Sequence, residues 1–235
     1  MEILRMEQQT ADWFEAHLGR CTASHASDVL NFLRSGESGA YRNAYLAQKV
    51  AEILTGIAVT DQYVSPAMIW GNEHEAEARR EYSLEEGVFV EQVGFVVGDV
   101  DRTGCSPDGF VGDKGILEIK CPKTSTHIKW MLDGVIPDEH LPQCRFELMV
   151  CQDRQWVDFV SFDPRLPKRY RMFQIRLMRE DAMVPEMRAA ADQFNADVDA
   201  LIVKLNEIAP PRPDDAPPPQ DDGIGLTDED LAMLK

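Results

Sequence analysis

No C-x-x-C pair occurs in this sequence, no window approaches ~18 uninterrupted apolar residues, and cations are scarce. The five cysteines, Cys21, Cys105, Cys121, Cys144 and Cys151, are odd in number. Their spacing excludes a zinc cage built on paired cysteines and a secreted disulfide framework, so reduced thiols are expected. The lack of a long apolar run excludes a membrane-spanning helix. The opening "MEILRMEQQTADWF" lacks a basic region followed by an apolar stretch, so the expectation is a cytoplasmic protein with no membrane partner. Lys and Arg number 24 against 41 Asp and Glu, a formal net charge of -17, which argues against broad adhesion to DNA or anionic membranes. A locally basic groove remains compatible with it. Part of the excess sits near the C-terminus, where Asp214, Asp215, Asp221, Asp222, Asp228, Glu229 and Asp230 face only Arg212 and Lys235.

What is present describes an ordinary globular chain: 235 residues, 44% hydrophobic and 28% charged, enough for one sizeable core. Thr10 is placed to cap a helix holding Trp13, Phe14 and Leu18, closed by Gly19. In "TASHASDVLNFL" the spacing of Ala26, Val29, Leu30 and Leu33 predicts a second helix with one buried face, putting Ser24 near its start. "RSGESG" reads as a loop and "YRNAYLAQKVAEILTG" as a helix ended by Gly56. Ser65-Pro66 opens a long polar helix reaching Gly87. "VFVEQVGFVVGDV", "TGCSPDGFVG" and "GILEIKC" have strand composition, the last two joined by Gly-Asp-Lys-Gly. One or two helices follow over Thr124 to Val150, then strands "WVDFVSFD" and "YRMFQIRLM", and a closing helix from about Asp181 to Ile208. This order predicts an α/β or α+β domain with a central mixed β-sheet flanked by helices, over residues 1-208. Residues 209-235 read as a proline-rich acidic tail, expected to be disordered, with a short amphipathic end carrying Leu226, Leu231 and Leu234.

The chemistry concentrates in "CSPDGFVGDKGILEIKCP". Alternation along a strand turns Leu117, Ile119 and Cys121 to one face and Glu118 and Lys120 to the other. If "TGCSPDGF" pairs antiparallel with "GILEIKC", Asp108 approaches Glu118 across the hairpin. Two carboxylates forced together repel unless a cation intervenes, and a hard ion such as Mg²⁺ prefers oxygen ligands. A lysine beside them can position or deprotonate water and offset charge on a phosphoryl transition state. Taken alone, a solvent-facing hairpin with an incidental ion pair is the commoner explanation of such a pattern.

"SPDG" followed by "LEIKCP" resembles the PD-(D/E)XK nuclease core, and in particular the phage recombination exonucleases of the lambda exonuclease type, the YqaJ-like viral recombinases. "WFEAHLGRCTAS", "WGNEHEAEAR", "PDEHLPQCRFELMVC" and "WVDFVSFDPRLP" agree with that family in order and spacing. The resemblance implies a Mg²⁺-dependent 5′→3′ exonuclease on double-stranded DNA ends, with Mn²⁺ as an alternative ion. It implies release of 5′-mononucleotides, a 3′-tailed product for a single-strand annealing protein, and a homotrimeric ring around DNA. Asp108 and Glu118 would hold the metal with the backbone carbonyl of Ile119, Lys120 would activate water, Glu75 would be a third acid, and Gln143 would orient water or phosphate. The other reading of Glu75 is a surface charge on a polar helix. Ser24 and Ser106 match serines that hold the 5′-phosphate, although Ser24 is equally a plain helix cap. Arg34 matches a DNA-contacting arginine. Met68 falls where the family places a wedge between terminal base pairs, with helix packing as its alternative. His17 stands where arginine is usual in the phosphate-binding motif, Thr126 where a basic residue is frequent, and His140 where tyrosine is expected. A neutral histidine cannot clamp phosphate as a guanidinium does, so either Arg20, Lys123 or Lys129 compensates or dependence on a 5′-phosphate is weaker. Two other functions share the fold: a PD-(D/E)XK endonuclease and a non-catalytic DNA-binding protein.

Overall fold

The computed structural model describes residues 1-59, 65-210 and 212. In chain order it contains β1 (Glu2–Leu4), α1 (Ala11–His17), β2 (Cys21–Thr22), a 3-10 turn at Ala23–His25, α2 (Ala26–Val29), α3 (Ala40–Thr55) and α4 (Pro66–Glu86). Then come β3 (Val90–Glu91), β4 (Phe95–Val97), β5 (Thr103–Cys105), β6 (Gly109–Val111) and β7 (Gly115–Lys120). The remainder is α5 (Thr124–Asp133), α6 (Leu141–Val150), β8 (Trp156–Phe162), a 3-10 turn at Lys168–Tyr170, β9 (Met172–Met178), a 3-10 turn at Arg179–Asp181 and α7 (Val184–Ile208). The chain divides into Met1–Asp199 and a second unit from Ala200, which begins with the last turns of α7. The acidic tail, apart from its first two residues and Arg212, lies outside the described residues. Among the described residues no helix is long and apolar enough to cross a membrane.

Two mixed sheets stand where one was expected. A five-stranded sheet runs β3-β6-β7-β8-β9 and a four-stranded sheet runs β1-β4-β5-β2. The division falls inside the segments read as continuous strands. Gly94 separates β3 from β4 at a point where a Cβ would meet the Leu4 and Met6 carbonyl oxygens, so the backbone of the N-terminal strand crosses there. Ser106, Pro107 and Asp108 separate β5 from β6.

The helix starts and stops were legible because they are local. The Ser65 side chain accepts a hydrogen bond from Met68 N and Pro66 occupies the first turn of α4, while Gly87 closes it in the left-handed conformation. The second helix was not: α2 ends at Val29, and Leu30 and Leu33 are 37% and 55% exposed. The chain turns back instead. Phe32 bridges Ser38 and Gly39 N donates to Asn31 O at 2.8 Å, a narrow loop in which only glycine fits beside Asn31. Thr10 also makes no side-chain cap; its hydroxyl donates to Glu7 O.

The five-stranded sheet is covered on both faces around β7. Leu117 and Ile119 pack with Ala78 and Tyr82 of α4 and with Val160 and Phe162 of β8. Glu118 and its parallel neighbour Phe159 face the other way, where Phe159 meets Trp130 of α5 and His140 just before α6. Asp158, on the α4 side, is buried and satisfied by Tyr82, Gln174 and a two-pronged Arg176. These layers fix β7 so firmly that the side chains at its C-terminal end have little freedom.

Candidate active site

The β6–β7 hairpin pairs Gly109 with Leu117 and Phe110 with Ile116, so Asp108, one step earlier, comes beside Glu118. Its Oδ2 accepts a hydrogen bond from Ile119 N at 2.5 Å. Lys120 Nζ donates to Glu118 Oε1. Glu118 is only 1% exposed, which rules out a solvent-facing hairpin. Glu75 enters from α4: Arg79 donates through Nη2 to Glu75 and through Nε to the Asp108 carbonyl at 2.9 Å, tying helix to hairpin.

Sequence reasoning missed Arg79 and Glu147. Glu147 of α6 is fully buried and sits against Glu118; its Oε1 accepts from Gln143 Nε2 at 3.4 Å, and its Oε2 has no hydrogen-bond partner. Both lie four residues from a residue already singled out, Glu75 and Gln143, one helical turn along the same face.

The electrostatics are those of excess negative charge. Burial, then the charges of Glu118 and Glu75, push the Asp108 carboxyl well above its usual range. Burial also raises Glu75, opposed by Arg79 and reinforced by Glu118. Glu147 is raised by burial and by Glu118. Burial alone would lower Lys120, but Glu118 and Asp108 outweigh it and hold the ammonium above the ordinary lysine range. Among the described residues no three His, Cys, Asp or Glu side chains form a ready-made metal cage. The fit is to a hard cation taken by two carboxylates and a main-chain carbonyl, with water or phosphate completing the shell, as Mg²⁺ prefers. Crowded carboxylates with raised proton affinities, beside an orphaned Glu147 oxygen, are the features such a charge relieves.

These groups floor a cleft of about 740 Å³ lined by Glu75, Asp108, Ile119 and Lys120 below and by Trp13, Phe14, Met68, Trp130 and His140 around. Met68 is 51% exposed and faces this cleft rather than a helix core. His140 is lowered to about 4 by burial and by Lys120, so it stands neutral at the wall. Ser24 and Ser106 come to one end of a parallel strand pair, each two residues beyond the paired Thr22 and Gly104. Ser106 Oγ accepts from Trp13 Nε1 at 2.9 Å, and Ser24 is exposed, 3.3 Å from Thr22 Oγ1.

Two expected contact residues are not brought to the cleft. His17 is packed between Trp13 and Phe95, centroids 3.8 and 4.4 Å away, with Nδ1 2.6 Å from Trp13 O; burial lowers it to about 4. Arg34 is exposed in the Leu33–Gly36 turn and does not line the cleft. Of the residues that could compensate, Lys129 is paired with Asp133 at 2.7 Å, and Lys123 is exposed before α5.

A mixed sheet flanked by helices, with an acidic hairpin and lysine at a strand end, defines a nuclease of the PD-(D/E)XK fold. The chain belongs to the YqaJ-like viral recombinase domain family, whose model matches residues 12–154. It is similar to LHK-Exo, an alkaline exonuclease from Laribacter hongkongensis, at 38% identity over 85% of this chain and 98% of that one, with a TM-score of 0.75. The structure of LHK-Exo in complex with dAMP matches at the same identity and coverage, with a TM-score of 0.76. A phage related exonuclease from Haemophilus somnus 129PT shares the fold at 15% identity, over 79% of this chain and 96% of that chain, TM-score 0.56. Among curated proteins none matches. Membership of this divalent-metal-dependent family assigns the chain a nuclease role of the exonuclease kind.

Proposed function

We propose that this protein is a Mg²⁺-dependent 5′→3′ exonuclease acting on double-stranded DNA ends. It releases 5′-mononucleotides and leaves 3′ single-stranded tails for single-strand annealing recombination. The observation that carries this reading is the meeting of Asp108, Lys120 and Glu75 at the floor of one cleft, with Glu118 buried directly behind them.

Asp108, Glu118 and the Ile119 carbonyl would hold a divalent cation, which would supply Lewis-acid stabilisation of phosphoryl charge. The chain's own groups do the rest. Lys120 donates to Glu118 and lies beside Asp108, from where it orients water and offsets charge building on phosphate oxygens. Gln143 donates to Glu147, which lies against Glu118, and from there would orient water or phosphate, and Glu75 is the third acid, braced by Arg79. Ser24 and Ser106 offer hydroxyls to the 5′-phosphate from adjacent strand ends. Met68, exposed on the first turn of α4, is placed to wedge the terminal base pairs apart. Arg34 contacts DNA from its exposed turn. His17, half-buried against Trp13 and Phe95, supports Trp13 rather than clamping phosphate, so either Lys123 or Arg20 compensates or dependence on a 5′-phosphate is weaker.

The exonuclease domain covers residues 1-208, and the tail over 209-235 is a solubilising extension. Three copies encircle the duplex, which reconciles a net charge of -17 with a polyanionic substrate: encirclement, not attraction over the whole surface, retains DNA. A single-strand annealing protein receives the tailed product.

The test incubates linear 5′-phosphorylated duplex and a circular duplex with Mg²⁺, using wild type, Lys120→Ala and a chelator control. Mononucleotide release is expected only from the linear duplex, only with wild type and metal. Lys120→Ala should slow it on the order of 10³-fold, the size of effect seen when one transition-state donor is removed. Cleavage of the circle would move the reading to an endonuclease, and an inert wild type would end it. Sedimentation as a monomer at working concentration would count against the ring.

A further inference from the structure

One loop contradicts the acidity of the chain. Between β8 and β9 runs "RLPKRYR", Arg165 to Arg171, with four cations in seven residues and no acid. Two of the four are engaged in shaping the loop. Arg165 donates to Asp163 through Nε at 2.7 Å and Nη2 at 3.0 Å, lies 4.2 Å over the Trp70 ring, and reaches the Pro122 carbonyl at 3.3 Å. Arg171 Nε donates to Leu166 O at 2.8 Å. A further tie comes from buried His127, whose Nε2 is 2.8 Å from the Tyr170 carbonyl.

The other two, Lys168 and Arg169, remain exposed on the 3-10 turn Lys168–Tyr170 and make no ion pair among the described residues. Arg169 lies 4.7 Å from the ring of Tyr170, itself 43% exposed, so the turn presents cations interleaved with an aromatic surface. Its position is fixed relative to the candidate active site. β7 and β8 run parallel with Lys120 opposite Ser161, so the loop leaves the same end of the sheet as the catalytic lysine. Pro122, which Arg165 grips, lines the cleft. A rigidly anchored cationic turn at the edge of an acidic cleft has no role in solubilising a chain already at -17.

We propose that Lys168 and Arg169 form a docking surface for the phosphate backbone of duplex DNA outside the cleft, holding the substrate while its end is cut. This rests on the exonuclease reading and adds a site to it. Surface charge acts only within a Debye length, ~8 Å at physiological salt. Two well-placed cations therefore matter locally, whatever the net charge.

The test measures binding of a labelled linear duplex to the full chain by fluorescence anisotropy, in chelator to prevent cleavage, across a salt series. Each phosphate contact contributes about 0.9 to the slope of log affinity against log salt. The double variant Lys168→Ala/Arg169→Ala is expected to lower that slope by about 2 and to weaken binding at low salt about tenfold. Lys168→Arg/Arg169→Lys should restore most of the slope. Lys114→Ala, which removes a cation from the turn before the opposite end of β7, should change nothing. An unchanged slope in the double variant, with wild type binding normally, overturns the docking surface alone. A wild type that neither binds nor degrades linear duplex overturns the exonuclease reading and the surface with it. Loss of binding in the charge-conserving variant as complete as in the alanine variant would assign the loop a structural role instead.

Discussion

Two lysine–glutamate pairs, both out of bulk water, divide the molecule into a settled region and an unsettled one. In α3, Lys49 Nζ meets Glu52 Oε2 at 2.8 Å; Gln48 donates to the same carboxylate at 3.1 Å, and Gly19 N at 2.8 Å. Burial alone would raise Glu52, yet these donors prevail and hold it below the usual range. In β7, Lys120 meets Glu118, but Asp108, Glu75 and Glu147 crowd the same space and are all pushed upward. Chemically similar pairs thus serve opposite ends. The first has donors enough for its acid and pins the loop at Gly19 to α3. The second has more acid than donors, which is what a binding site for a hard cation looks like before it is filled.

The sharpest way to break this contrast is Asp108→Asn. If the excess charge exists for the ion, nucleotide release should fall on the order of 10³-fold. The stabilisation that Mg²⁺ gives wild type, about 2.7 kcal/mol at a hundred times the dissociation constant and read as a rise in thermal midpoint, should vanish with it. A variant that keeps the midpoint shift would locate the ion elsewhere. Next in size is Glu52→Gln, which leaves Lys49 buried with a weakened partner. It should cost about 3 kcal/mol in urea unfolding, as when one member of a buried pair is removed, while activity per folded molecule stays near wild type.

The smallest effect is a difference in sign with pH, measured in chelator. Asp108 binds its proton more tightly folded than unfolded, so its contribution is most favourable below the ordinary carboxylate range. That contribution is lost as pH rises through the raised folded value, with a slope no steeper than about 1.4 kcal/mol per pH unit. Glu52 does the reverse: its contribution is present above the ordinary range and is lost as pH falls through the lowered value. Denaturation midpoints of Asp108→Asn and Glu52→Gln followed across acid pH should therefore depart from wild type in opposite directions. Parallel curves would erase the distinction between the two pairs.

The hairpin that carries Asp108, Glu118 and Lys120 was legible in the sequence because register, turn and alternation act over a dozen residues. Ser65, Pro66 and Gly87 were legible for the same reason. Glu118's burial was not, since the helix that covers it, α6, is contributed by residues 141 to 150, and alternation along β7 says nothing of what lies above either face. Glu147 escaped notice because a glutamate in an apolar stretch such as "FELMVC" carries no sign of what it meets. The split into two sheets followed from contacts of Gly94 with a strand some ninety residues earlier in the chain. His17 misled differently: a motif position suggested phosphate, while Trp13 and Phe95 closed around the ring.

Because β7 is walled in by α4 on one side and α6 on the other, the inner carboxylate has no doorway of its own. Asp108, Ile119 and Lys120 touch the cleft, and Glu118 lies behind them. Ions therefore reach Glu118 only by way of Asp108 and Lys120, from the main cleft or from a second opening lined by Glu75, Arg79 and Asp108. If a DNA end fills the main cleft, as the proposed function has it, the second opening still leaves a bound cation a way out, and a chelator added late should stop turnover without waiting for the nucleic acid to depart.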